Sequence, residues 1–166
     1  WIVKTNNNSI FSTPNVIIAG GVGSFEPRKF PVKECEKFEN KSIFYSVKDK
    51  NLFNGKNISI FGGGDSALDW AVEFARNSKV NLIHRRDDFR GAQATVDKVY
   101  SLVKDGKIDL YTKYQMVSVK GNGKLDSIDI KNDDGEVKNI KSDFALGFFG
   151  LIMQLGPIAN WGLNIN

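Results

Sequence analysis

Asn57-Ile58-Ser59-Ile60-Phe61 runs directly into Gly62-Gly63-Gly64-Asp65-Ser66-Ala67. The first five residues are a short, β-branched, apolar run, which reads as a buried strand. Three glycines then force a tight turn. After it, Ala67, Leu68, Ala71, Val72, Phe74 and Ala75 fall at helical spacing and predict a helix over 65–78. The turn matches G-x-G-x-x-A in the strand–turn–helix setting which that pattern requires. Gly62 permits the turn, Gly64 lets backbone approach a pyrophosphate, and Ala67 is small enough for helix and strand to pack closely. Gly63, Asp65 and Ser66 complete the candidate site, the last two as caps or phosphate neighbours in the first helical turn. The helix N-terminus supplies unpaired N–H groups and partial positive charge. The plain alternative is a structural strand–helix turn.

The next strand, predicted over 80–83, decides which dinucleotide fits. An NAD site places an acid at its end to bond the ribose 2′-hydroxyl. Here that place holds His84-Arg85-Arg86, and no acid comes before Asp87. Guanidinium groups bind a 2′-phosphate through paired, charge-assisted hydrogen bonds. Arg90 is placed to close the other side. The expected ligand is therefore NADP(H), against the alternative of a solvated basic loop. His84, the only histidine, is expected beside the adenosine phosphate and not as a catalytic base, since it has no evident acidic or cysteine partner.

Working outward, 92–103 reads as a second helix closing at Gly106. Short strands are expected over 108–111, 116–120, 127–131 and 137–140. Gly121-Asn122-Gly123 and Asp133-Asp134-Gly135 mark hairpin turns. A final buried strand is expected over 144–149. Upstream, Trp1–Thr5 and Asn15–Ala19 read as strands, the second buried, separated by the polar turn 6–9. Residues 24–54 read as irregular. The pattern is βαβα, then a β meander, then a strand. It predicts an α/β Rossmann-like domain of three layers, with a mainly parallel central sheet.

Composition sets the outer limits. The net charge of +4 comes from 23 lysines and arginines spread against 19 acids, with no basic block. This favours a solvated basic surface over nucleic-acid binding. The apolar run around 144–158 is broken by glycines and Pro157, so no membrane span is expected. A single cysteine, Cys35, excludes an internal disulfide and fits a reducing, cytoplasmic setting. It reads as a free, partly buried thiol. The chain opens on Trp1 in an apolar strand, so a piece of a longer protein is expected.

Gly-Gly-Gly-Asp-Ser-Ala-Leu-Asp-Trp-Ala at 62–71 and Ile-His-Arg-Arg-Asp-Asp-Phe-Arg-Gly at 83–91 together resemble the NADPH domain of thioredoxin-reductase-like flavoproteins. Residues 17–27 resemble the crossing from an FAD domain into that domain, and Phe148-Phe149-Gly150-Leu151 the return crossing. The resemblance implies the fold with two dinucleotide-binding domains. It assigns residues 1–25 to an FAD-domain border, 26–150 to the NADPH domain and 151–166 to the return crossing. It also implies Gly150 near the nicotinamide side, Phe25 at a flavin-contacting position, and Asp69 as a helix-surface or interdomain carboxylate.

Thioredoxin reductases carry a redox CxxC shortly before the glycine turn. The equivalent positions here are Tyr45 and Lys48, and Cys35 lies too far upstream to substitute. Disulfide exchange needs a thiolate. Tyr45-Ser46-Val47-Lys48-Asp49, with Phe25-Glu26-Pro27, resembles the ferredoxin–NADP reductases of this group, which lack the dithiol. The resemblance implies an enzyme that passes hydride between NADPH and FAD and single electrons to ferredoxin, as a homodimer. Neither FAD motif of the family is present, so this stretch is expected to bind NADP and to hold FAD weakly or not at all. The alternatives are a thioredoxin reductase or diaphorase piece, and a non-catalytic NADP-binding module.

Overall fold

The computed structural model describes residues 1–19, 24–154 and 156–162. It divides into two compact units: Trp1–Glu26 with Met153–Asn166, and Pro27–Ile152.

In chain order the strands are β1 (Ile2–Lys4), β2 (Ile10–Ser12), β3 (Ser24–Pro27), β4 (Ile43–Phe44), β5 (Asn57–Phe61), β6 (Lys79–His84), β7 (Ile108–Thr112), β8 (Tyr114–Lys120), β9 (Ser127–Asn132), β10 (Val137–Lys141), β11 (Phe144–Gly147) and β12 (Leu151–Gln154). Helix α1 spans Asp65–Phe74 and α2 spans Gln93–Lys104. Short 3₁₀ turns occupy Lys33–Phe38, Lys50–Phe53 and Gly156–Asn160.

Within Pro27–Ile152 the central sheet has the order β4-β11-β5-β6-β7, and every pairing in it is parallel. Parallel strands covered on both faces read as continuous apolar runs, which is why 57–61 and 80–83 were legible. Their alternate residues serve two cores. Ile58, Ile60, Val80 and Leu82 pack with Leu68, Ala71 and Phe74 of α1 and Val96 and Val99 of α2. Phe61, Ile83, Ile43 and Ala145 face Met116, Ile128 and Ile130 of the antiparallel sheet β10-β9-β8. Helices, parallel sheet and meander form the three expected layers.

Polar residues on the meander side of the sheet satisfy one another. Ser142 Oγ and Ser59 Oγ lie 2.9 Å apart, and Asn81 Nδ2 donates to Ser59 Oγ at 3.5 Å. No buried side-chain polar atom among the described residues lacks a partner.

Several expectations change. Helix α1 stops at Phe74, not Ser78, because its last turn tightens into Arg76 N–H to Glu73 O and Asn77 N–H to Phe74 O bonds. β11 ends at Gly147, although Phe148 N–H still donates to Phe61 O at 2.8 Å. Residues 24–54 contain β3, β4 and two 3₁₀ turns; their contacts are with distant segments, so no local period announces them.

In the other unit, β1 pairs with β2 in an antiparallel hairpin. Its turn is held by Asn8 N–H to Thr5 O, with Asn8 at φ 64°. Residues 15–19 are not the expected buried strand. No described strand pairs with them, and Ile17 is 91% exposed. The run is apolar enough to be buried but has no neighbouring sheet among the described residues. β3 and β12 form a separate two-stranded sheet. Among the described residues no helix is long and apolar enough to cross a membrane.

Candidate functional site

The site lies at the carboxyl ends of β5, β6 and β11, where open α/β sheets bind ligands. Backbone bonds fix these three ends together: Gly62 N–H donates to Ile83 O at 3.1 Å and Phe148 N–H to Phe61 O. Gly62 has φ +151°, and a Cβ there would sit 2.7 Å from Phe148 O and 2.9 Å from Ala67 Cβ. Both backbone shape and close packing demand glycine, and Ala67 supplies the small partner.

A cleft of about 610 Å³ opens over these ends, within the usual range for small-molecule and cofactor sites. Gly62, Gly63 and Gly64 line it together with His84, Arg85, Arg86, Arg90 and Gly150. Eight of the twelve residues expected at the site therefore share one wall. Arg28 and Lys29 add further cations, and among the described residues no aspartate or glutamate lines the cleft. A Cβ built on Gly64 would meet nothing within 4 Å. There is thus open space at the head of α1, whose N-cap is Gly64 with no side chain filling the cap. Unpaired N–H groups facing open, positively charged space suit a phosphate.

Arg85, Arg86 and Arg90 are exposed, and among the described residues none is ion-paired. Two acids follow Arg86 in sequence: Asp87 is held 2.8 Å from Lys113 Nζ, and Asp88 makes no ion pair among the described residues.

His84 has a different part from the one its type suggests. It is 9% exposed, its ring stacked on Phe89 at 5.4 Å and 23°. Nε2 lies 3.1 Å from Asp88 O. A carbonyl only accepts, so Nε2 carries the hydrogen. Burial holds the imidazole below its usual pKa despite the Asp88 bond, and the charges of Arg86, Arg85 and Arg90 push the same way as burial. Gly63 rests directly on the ring: a Cβ there would lie 2.3–2.5 Å from three ring atoms. The second glycine is thus required by the histidine.

The remaining expected residues lie elsewhere. Asp65 does not line the cleft; its Oδ1 accepts from Ala92 N–H at 2.7 Å. Ser66 is exposed outside the cleft wall, and Ala67 is buried beneath the turn. Phe25 lies on β3, 55% exposed and not in the cleft wall. Asp69 accepts a 3.4 Å bond from Thr95 Oγ1 of α2.

The sequence reading missed Arg28, Phe149, Tyr114 and Met116 as cleft residues. Arg28 follows Pro27 in a stretch without periodicity, although its N–H donates to Gly150 O at 3.1 Å. Tyr114 precedes the expected start of its strand.

Tyr45, at the position of a family dithiol, is half-buried. Its hydroxyl donates to Glu39 Oε1 at 3.1 Å and accepts from Phe30 N–H at 3.2 Å. Cys35 is 1% exposed, not partly buried, because it faces Met116 across the core with Sγ–Sδ 3.4 Å. Burial pushes its thiol up to about 12, and Glu39 and Glu34 add to the effect.

A ferredoxin–NADP reductase from Pelagibacter ubique is 64% identical over 166 residues, covering 100% of this chain and 49% of the relative. One from Parvibaculum lavamentivorans is 46% identical, again covering 100% of this chain and 49% of the relative. The chain thus spans about half the length of the curated relatives it matches. Among solved structures, Lactococcus lactis thioredoxin reductase superimposes with TM-score 0.75 at 26% identity, over 84% of this chain and 46% of that one. T. acidophilum thioredoxin reductase superimposes with TM-score 0.75 at 23% identity, over 86% of this chain and 47% of that one. The family model described as pyridine nucleotide-disulphide oxidoreductase matches residues 1–164, and the chain belongs to that family.

Proposed function

We propose that this chain is the NADP(H)-binding half of a flavin-dependent ferredoxin–NADP reductase. The observation that carries this reading is the cleft in which the glycine turn meets three arginines; among the described residues no acid lines it and none of the three is ion-paired. Gly64 and the start of α1 would hold the pyrophosphate, and Arg85, Arg86 and Arg90 the 2′-phosphate. When bound, the nicotinamide supplies hydride exchange with FAD, and the flavin exchanges single electrons with a ferredoxin. The chain's own residues bind and orient the nucleotide. Phe25 is kept as a flavin contact and Gly150 as a neighbour of the nicotinamide. The ferredoxin partner is supported by the names of the relatives and by the chain's lack of a dithiol: its one cysteine is buried and its thiol stays protonated. A cytoplasmic homodimer completes the proposal; the single reduced cysteine favours that compartment.

Titration of the protein with adenosine 2′,5′-bisphosphate and with 5′-AMP tests the binding claim. Each charge-assisted bond contributes roughly 1.5–3 kcal/mol, so the bisphosphate should bind at least about tenfold more tightly. Arg85→Ala with Arg86→Ala should erase the difference. Equal affinities in the unaltered protein would refute the NADP assignment.

A further inference from the structure

Helix α2 begins without a cap of its own. Its N-cap residue is Ala92, and its first turn carries no acid. Helix N-termini need acceptors for their free N–H groups and favour nearby negative charge. The acceptor comes from another helix: Ala92 N–H donates to Asp65 Oδ1 at 2.7 Å, across 27 residues of sequence. Asp65 stands in the first turn of α1.

Two neighbouring contacts fall on the residues just before Ala92. Arg90 N–H donates to Gly63 O at 2.7 Å. Gly91 is pressed between them; a Cβ on it would sit 2.6 Å from Leu68 Cδ1 and 3.1 Å from Asp65 Oδ1. Three consecutive residues, 90–92, are therefore fastened to the glycine turn and to the head of α1. At the upstream end the loop is held by the pairing of β6 with β5 and β7 and by His84 Nε2 against Asp88 O. Arg85, Arg86 and Arg90 all lie on the segment between these anchors.

We propose that Asp65 is a positioning residue. Its carboxylate caps α2 from α1 and so holds the arginine loop in register with the glycine turn, setting the preference for a 2′-phosphate. This rests on the NADP reading above. It also explains why a carboxylate is tolerated beside a phosphate site: its charge is directed at the α2 N-terminus and away from the cleft. Binding groups held in advance lose less on ligand binding than groups that must be gathered.

The test measures, in the intact protein, the ratio of 5′-AMP to adenosine 2′,5′-bisphosphate dissociation constants. Asp65→Ala removes the acceptor and should reduce the ratio roughly tenfold, the scale expected when binding groups are displaced by a fraction of an ångström. Asp65→Asn keeps an oxygen acceptor for Ala92 N–H and should stay within about twofold of wild type. Ala92→Pro deletes the donor from the other side; Ala92 has φ −57°, which proline adopts without strain. It should copy Asp65→Ala, and it carries the test if Asp65→Ala fails to fold. Unchanged ratios in Asp65→Ala and Ala92→Pro, beside a wild type that discriminates, would overturn the clamp alone. A fall in Asp65→Asn equal to that in Asp65→Ala would also overturn it, by pointing to the charge itself. A wild type that does not discriminate would overturn the NADP reading, and the clamp with it.

Discussion

Replacing Gly63 with alanine adds one methyl group at a position whose backbone does not itself require glycine, since Gly63 is not among the residues of positive φ. Any cost must come from contact. The new Cβ would lie 2.3 Å from His84 Cε1 and 2.5 Å from both ring nitrogens, so the ring must retreat by about 1 Å to reach ordinary contact. Its retreat is blocked by Phe89, stacked at 5.4 Å, and any shift disturbs the Nε2 bond to Asp88 O. Overpacking of this kind costs about 1–3 kcal/mol, and a lost hydrogen bond adds about 1 kcal/mol. The expected destabilisation is about 2–4 kcal/mol, a large part of a typical domain's stability. Urea denaturation should show a lowered midpoint with an unchanged slope. His84→Ala removes the obstructing ring, so adding Gly63→Ala in that background should cost less than about 0.5 kcal/mol, a clear departure from additivity. A Gly63→Ala protein as stable as wild type, or a double variant whose costs simply add, would refute the argument that the ring sets the identity of the second glycine.

Gly64→Ala should behave in the opposite way: its Cβ meets nothing within 4 Å, so the urea midpoint should hold while adenosine 2′,5′-bisphosphate affinity falls at least about tenfold, and retained affinity would count against a phosphate at this spot. Cys35 should resist iodoacetamide at pH 8 in the native protein and react only on unfolding, because the thiol is buried and pushed up to about 12; rapid native labelling would contradict its placement. Asp129 binds Asn139 Nδ2 at 2.6 Å, Lys120 Nζ at 2.7 Å and Ser118 Oγ at 2.7 Å, and these contacts lower its pKa from 3.8 to about 2. With the folded value depressed, its contribution is full above about 3.8 and lost as pH falls toward about 2; Asp129→Ala should therefore lose less stability than wild type across that window in acid titration.

What was legible in the sequence was whatever a local rule governs. A parallel strand buried on both faces leaves a continuous apolar run, so β5 and β6 were read within about a residue. Helical spacing marked α1 and α2, and Gly123 and Gly135, at φ 73° and 89°, marked the meander's turns. What was lost depends on partners distant in sequence. β4 is two residues long and exists because β11 lies beside it, about a hundred residues on. Ile10–Ser12 is a strand only as the return arm of a hairpin, while the more apolar 15–19 stays exposed because nothing described covers it. The same division runs through the site. The glycines and arginines were identified by chemistry, whereas Asp65, which sits in the right turn, read equally as a cap or a phosphate neighbour. Only the position of α2 shows that its carboxylate faces Ala92.

The stretch 84–91 makes physical sense as a unit once these contacts are known. A buried neutral imidazole at 84 is the pillar on which Gly63 rests and over which Phe89 closes. The guanidiniums at 85, 86 and 90 form no ion pair among the described residues: of the two acids between Arg86 and Arg90, Asp87 is drawn off by Lys113 and Asp88 pairs with none of them. Lys113 itself stands at φ 62°, and its bond to Asp87 raises its pKa. Gly91 lets the chain pass close enough to Leu68 for Arg90 and Ala92 to reach Gly63 and Asp65. Spacing and residue type are then coupled: an insertion between His84 and Arg90 would move the guanidiniums without touching their charge. One extra residue in that loop should leave the net positive field of the cleft intact and so preserve binding of 5′-AMP. It should also abolish the added affinity for the 2′-phosphate. Comparing both affinities in such an insertion variant separates register from charge, and a variant that kept its full preference would show that the field alone suffices.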